Sequence, residues 1–162
     1  MLNAEPILSH IDSHRDDLIG LSDRVWGTPE TLYAEYESCA QHTAVLKAKG
    51  FAVTEQVAGI PTAVMGEAGE GGPVIAILGE YDALPGLSQV ANIAEPRPLV
   101  AGGAGHGCGH NLLGSAALLA ACALKDWLAE TGTPGRVRYY GCPAEEGGAA
   151  KANVFTRIMM AL

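Results

Sequence analysis

The chain has 162 residues, 48% of them hydrophobic and 17% charged, which suffices for one domain with a core and is too apolar for intrinsic disorder. Its net charge is -8, from 10 Lys and Arg against 18 Asp and Glu, and it has no basic run, so nucleic acid and anionic membrane surfaces are not expected partners. Met1 to Pro6 carry neither the basic nor the apolar region of a signal peptide, and a cytoplasmic protein is expected.

In chain order, Ile7, Ile11, Leu18 and Val25 recur near helical spacing and predict an amphipathic helix over residues 5–26, ended by Gly27-Thr28-Pro29. A second helix is expected over 34–49, closed by Gly50. Residues 51–54 and 62–65 read as short strands with Gly59-Ile60-Pro61 as the turn between them. Val74 to Leu78 is a continuous apolar run of strand length, the pattern of a strand buried on both faces. Residues 83–109 form a long stretch rich in Gly, Pro and Ala, and a loop of that length in a compact domain carries function or is disordered. A helix follows from Leu112 to about Glu130; its apolar run, Leu112 to Leu124, is shorter than the roughly 20 residues of a membrane span and reads as buried. Gly132 to Gly135 break it, and 136–140 are a further strand that leads into Gly141 to Gly148. Strand, helix and strand in succession predict an α/β fold with a mixed, mostly parallel sheet flanked by helices, as one catalytic domain over 1–162. Ligand sites in such sheets lie at the C-terminal ends of the strands.

Three clusters fall at those ends. In Gly105-His106-Gly107-Cys108-Gly109-His110-Asn111, three ligand-type side chains alternate with glycines at a helix start, so at least two can converge on one ion. Thiolate and imidazole are donors that zinc and similar ions favour. Asn111 is placed to cap the helix, whose positive end is expected to lower the pKa of Cys108. Glu145-Glu146 closes a strand ahead of Gly147-Gly148; consecutive side chains diverge, so one carboxylate can bind a metal while its neighbour faces substrate and shuttles a proton. Asp82, within Glu80-Tyr81-Asp82-Ala83-Leu84-Pro85, can orient a ligand histidine. His10, His14 and His42 lie on predicted helices and are given structural roles.

Together these segments resemble the aminoacylase and carboxypeptidase family of metallopeptidases, in its amidohydrolase branch, and Asn111 is most similar to the aminobenzoyl-glutamate hydrolase subgroup. The resemblance implies Cys108, His110 and Glu146 as metal ligands, Glu145 as the general base and Asp82 as the supporting carboxylate of the catalytic set. It leaves Glu80 unassigned, where many relatives have a ligand histidine, and gives His106 at most a supporting place. It implies divalent zinc or manganese, two ions per complete site, and hydrolysis of an N-acyl amino acid, dipeptide or aminobenzoyl-glutamate-like amide by metal-activated water. Homo-oligomers are typical of the family.

The family also has further ligand histidines downstream and an inserted lid and dimerisation domain. No histidine follows His110, and residues 155–162 do not follow the family pattern, so the front part of a longer catalytic domain is expected. Two other readings stand beside the enzyme. One is a truncated, catalytically incomplete metal-binding fragment. The other is a structural zinc site through Cys108, His110 and Cys142, which leaves the Glu pair without a role.

Overall fold

The computed structural model describes residues 5–160; Met1 to Ala4, part of the segment read for a leader, and the last two residues of the tail lie outside the described residues. Helix α1 spans Glu5–Trp26 and α2 spans Tyr36–Ala48. Leu18, Leu21 and Val25 stand three and four residues apart, share one face of α1, and are buried. Gly50 follows α2 at φ +80, a conformation that a side chain resists. The strands are β1 (Ala52–Glu55), β2 (Val64–Glu70), β3 (Val74–Glu80) and β4 (Gly135–Cys142). Helix α3 (His110–Thr131) joins β3 to β4; after β4 come a single turn, α4 (Glu145–Gly148), and helix α5 (Ala150–Met160).

The sheet order is β1-β2-β4-β3. Strands β3 and β4 are parallel, joined through α3, whereas β1–β2 and β2–β4 are antiparallel. The sheet is mixed and helix-flanked as expected, but among the described strands parallel pairing is the minority. The short β1–β2 connection turns the chain straight back, which permits only antiparallel pairing.

A second correction concerns β3. It is the last strand in the order, and Ile75 is exposed. The strand buried on both faces is β4: Val137 and Tyr139 enter a core with Leu21, Leu46 and Leu118, while Tyr140 and Cys142 enter a second core with Ala150 and Val154 of α5. The apolar run of β3 fits a buried strand, but β4 takes that position with Arg136 and Arg138 in its sequence because their guanidinium groups reach Glu67 on β2.

Helix α3 has the length and mean hydropathy, 22 residues and 1.5, of a membrane span. It packs against α1 on one side and against β3 and β4 on the other. This packing uses glycines: a Cβ on Gly114 would stand 2.2 Å from the Glu80 carbonyl oxygen. The first turns of α3 therefore lie directly on the C-terminal end of β3, and His110, one turn earlier, is set over the residues that leave that strand.

Candidate metal centre

The long loop between β3 and α3 is pinched shut at its base. Leu84 and Gly105 exchange backbone hydrogen bonds at 3.0 and 2.9 Å, and Ser88 N–H donates to Gly103 at 2.9 Å. A Cβ on Gly105 would stand 2.1 Å from the Leu87 carbonyl oxygen, so only glycine allows this approach. The pinch brings Asp82, at the loop's start, next to His110, at its end. At the far side of the pinch, His106 donates from Nε2 to the Val25 carbonyl at 3.0 Å and lies 6.3 Å from Trp26, ring to ring. His106 is thus buried against the end of α1, and burial pushes its pKa down. It stands outside both groups of convergent metal donors described below.

His110 is the hub of the site. Its Nδ1 lies 2.9 Å from Asp82 Oδ1 and 3.1 Å from the Asp82 carbonyl oxygen. Carboxylate and carbonyl oxygens accept, so Nδ1 donates to Asp82, and Nε2 is the ring nitrogen turned towards the other acids. Around Nε2 stand Glu80 Oε2 at 3.0 Å, Glu145 Oε2 at 3.8 Å and Glu146 Oε1 at 3.9 Å. The donor atoms of Cys108, His110 and Glu146 all lie within 4.8 Å of one another, and so do those of Glu80, His110 and Glu145.

The local fold puts these side chains there. Gly109, between Cys108 and His110, caps α3 in a left-handed conformation, φ +88. Asn111 does not cap the helix as expected. It is the second helical residue, buried, with Nδ2 donating to Ser22 Oγ at 3.0 Å, so it ties α3 to α1. Asp82 works on two neighbours: its Oδ2 accepts the Glu146 N–H at 3.0 Å. The Glu145 side chain is 41% exposed and that of Glu146 26%, so the outer carboxylate is Glu145.

Two expectations are corrected by chemistry. The Cys108 thiol is held above, not below, its ordinary range, because the Glu146 carboxylate accepts its hydrogen bond and further carboxylates surround it. Cys142 points into the second core, where burial pushes its thiol up to about 12, and it belongs to neither donor group, so a Cys108, His110, Cys142 site does not form.

Glu80, unassigned from sequence, is buried at the site, and its other oxygen, Oε1, pairs with Lys151 Nζ of α5. Lys151 carries no sequence signal, because its contact spans 71 residues. Glu35 reads in the sequence only as part of the second helix; it is fully buried and accepts the Ala144 N–H just ahead of the Glu pair.

A family model described as peptidase family M20/M25/M40 matches residues 76–159, which takes in most of the tail expected to depart from the pattern. Over 141 residues the chain is 50% identical to a p-aminobenzoyl-glutamate hydrolase subunit of Escherichia coli, covering 87% of this chain and 29% of that protein. It is 31% identical to the Xaa-Arg dipeptidase of Mus musculus, covering 89% of this chain and 32% of the relative. Among solved structures it superposes with a TM-score of 0.68, at 26% identity, on a Bacillus subtilis protein described as a dinuclear metal binding peptidase from the M20 family, covering 90% of this chain and 40% of that one. The chain thus spans about a third of the length of these curated relatives.

Proposed function

The chain belongs to the M20/M25/M40 peptidase family, and from that premise we propose that it carries the metal-holding part of an amide hydrolase acting on an N-acyl amino acid, dipeptide or aminobenzoyl-glutamate-like amide. The observation that carries this is the convergence on His110 Nε2. Three carboxylates and the Cys108 thiol gather at that nitrogen, and a bound cation offsets their negative charge. Cys108, His110 and Glu146 hold the ion, and Glu80 offers a further oxygen. A thiol and an imidazole in the set favour zinc over manganese. When bound, the ion supplies Lewis acidity that polarises the amide carbonyl and makes water a better nucleophile.

The chain's own groups do the rest. Asp82 holds the Nδ1 proton of His110, fixes the ring's plane and keeps Nε2 turned inward. Glu145, the more exposed of the pair, accepts the proton of the attacking water and returns it to the leaving amine nitrogen. Four unpaired cysteines suit a reducing compartment, and we place the protein in the cytoplasm. The test is glutamate release from p-aminobenzoyl-glutamate with zinc or manganese added. Metal-dependent release abolished by Glu145→Gln supports the reading; no release by a metal-loaded protein that extends over the full length of its relatives contradicts it.

A second reading has its own observation. Both donor groups share His110, whose Nδ1 is engaged by Asp82, so Nε2 alone is left for an ion and the described residues offer one centre rather than two. On this reading the 162-residue chain binds a single ion and turns nothing over. One ion per chain without hydrolysis favours it; two ions with turnover exclude it.

A further inference from the structure

The Glu145–Gly148 turn is too short to hold itself. It is a single turn with Ala144 at φ 54, ψ 38 on one side and Ala149 at φ 46, ψ 42 on the other. Left-handed backbone is strained for an L-residue, so two such residues persist only where their surroundings impose them.

On one side the surroundings are a distant segment, Leu32 to Glu35, which follows α1. Glu35 Oε1 accepts the Ala144 N–H at 3.0 Å, at the turn's start. Tyr33 Oη donates to the Gly148 carbonyl at 3.0 Å, at its end. The middle is shaped by contact: a Cβ on Gly147 would stand 3.0 Å from Leu32 Cδ1, and one on Gly148 would stand 2.5 Å from Tyr33 Cε2. Gly148 leaves room for the Tyr33 ring, and Leu32 lies against Gly147. Leu32 and Tyr33 are themselves left-handed, at φ 39 and φ 63, so both sides of the contact are strained to fit each other.

Glu35 is the keystone. It has 0% exposure and no ion pair with a described cation, and it accepts three hydrogen bonds: from Ala144 N–H, from Tyr33 N–H at 3.0 Å, and from Thr62 Oγ1 at 3.1 Å. Burial pushes its pKa up against these hydrogen bonds, which pull it down. On the opposite side the turn is met by Asp82, through the Glu146 N–H.

We propose that Leu32 to Glu35 is a mould that aims the Glu145 and Glu146 carboxylates at the metal centre, with Glu35 and Tyr33 as positioning residues. The proposal rests on the roles given above to Glu145 and Glu146. Release of Ala144 from its left-handed conformation swings both carboxylates together, and a displacement of about 1 Å at a reacting group costs on the order of 100-fold.

The test compares Glu35→Gln, Glu35→Leu and Tyr33→Phe in the whole chain, reading zinc affinity by chelator competition beside the thermal melt. In Glu35→Gln the amide oxygen still accepts both backbone N–H groups and its NH2 donates to Thr62, so affinity stays within about threefold of wild type. Glu35→Leu loses roughly 10- to 100-fold, the range for groups that orient ligands, while still melting cooperatively. Tyr33→Phe keeps the ring, loses one hydrogen bond, and falls between the two. Wild-type affinity in a folded Glu35→Leu, or a Glu35→Gln as weak as Glu35→Leu, overturns the proposal. Should Glu35→Leu not fold, unchanged affinity in Tyr33→Phe overturns it. A wild-type chain that binds no zinc sinks the metal reading instead. The mould is then read from the Ala144 and Glu146 amides, whose hydrogen exchange quickens in Tyr33→Phe if it exists and stays unchanged if it does not.

Discussion

Asp82 grips His110 with both its side chain and its backbone: Oδ1 and the carbonyl oxygen lie 2.9 and 3.1 Å from the same Nδ1. Both are acceptors, so the pair fixes one tautomer and one ring orientation. Asp82→Ala is expected to weaken zinc binding about 10- to 100-fold, while Asp82→Asn, which can offer an amide oxygen to Nδ1, loses less. Chelator competition reads both; equal affinity in wild type and Asp82→Ala would show that the orientation is set elsewhere.

The Glu pair is expected to separate by function. Glu146→Gln lowers zinc affinity, whereas Glu145→Gln leaves affinity near wild type and lowers turnover by roughly 100- to 10,000-fold, the usual contribution of a general base. Affinity and turnover measured on both variants check this. A Glu145→Gln protein with full turnover contradicts the assignment.

His42 makes stability pH-dependent. Its ring is fully buried beside Tyr81 and Tyr139, 4.9 and 6.1 Å away between centroids, and burial lowers its pKa from 6.5 to about 4, with Arg24 contributing in the same direction. Between those values the unfolded chain binds a proton that the folded chain refuses. The stabilisation is therefore complete above 6.5 and is lost as pH falls towards 4, on the order of 3 kcal/mol in all. Buried Glu35, with its raised pKa, has the opposite sign, so the comparison is with His42→Leu. Denaturant melts from pH 7 to 4 should show a shallower fall in that variant; parallel curves contradict the prediction.

The contact between Gly114 and the Glu80 carbonyl is tight enough that Gly114→Ala should destabilise by about 1–3 kcal/mol despite alanine's better helix propensity. For a chain of this size that is a fall in Tm of roughly 3–10 °C. A Tm at or above wild type would mean that α3 shifts without cost.

Local chemistry is legible in the sequence. Periodicity places α1, α2 and α3 within a few residues, and the donor atoms of the glycine-spaced Cys108 and His110 lie within 4.8 Å of each other and of Glu146. What stays hidden depends on contacts distant in sequence. Nothing in an apolar run tells an edge strand such as β3 from the interior strand β4, because sheet order is set by pairing. The helix that follows Cys108 argues for a lowered pKa, whereas the thiol answers to Glu146 across the site. Glu35 looks like an ordinary helix residue and Lys151 carries no signal until the chain brings Ala144 to one and Glu80 to the other.

Cobalt substitution tests the metal centre most directly. The account predicts that Co2+ added to the wild-type chain produces a near-ultraviolet thiolate-to-cobalt charge-transfer band. That band disappears in Cys108→Ser and in His110→Ala and survives in Cys142→Ser. No band in the wild type, or a band that persists in Cys108→Ser, contradicts it.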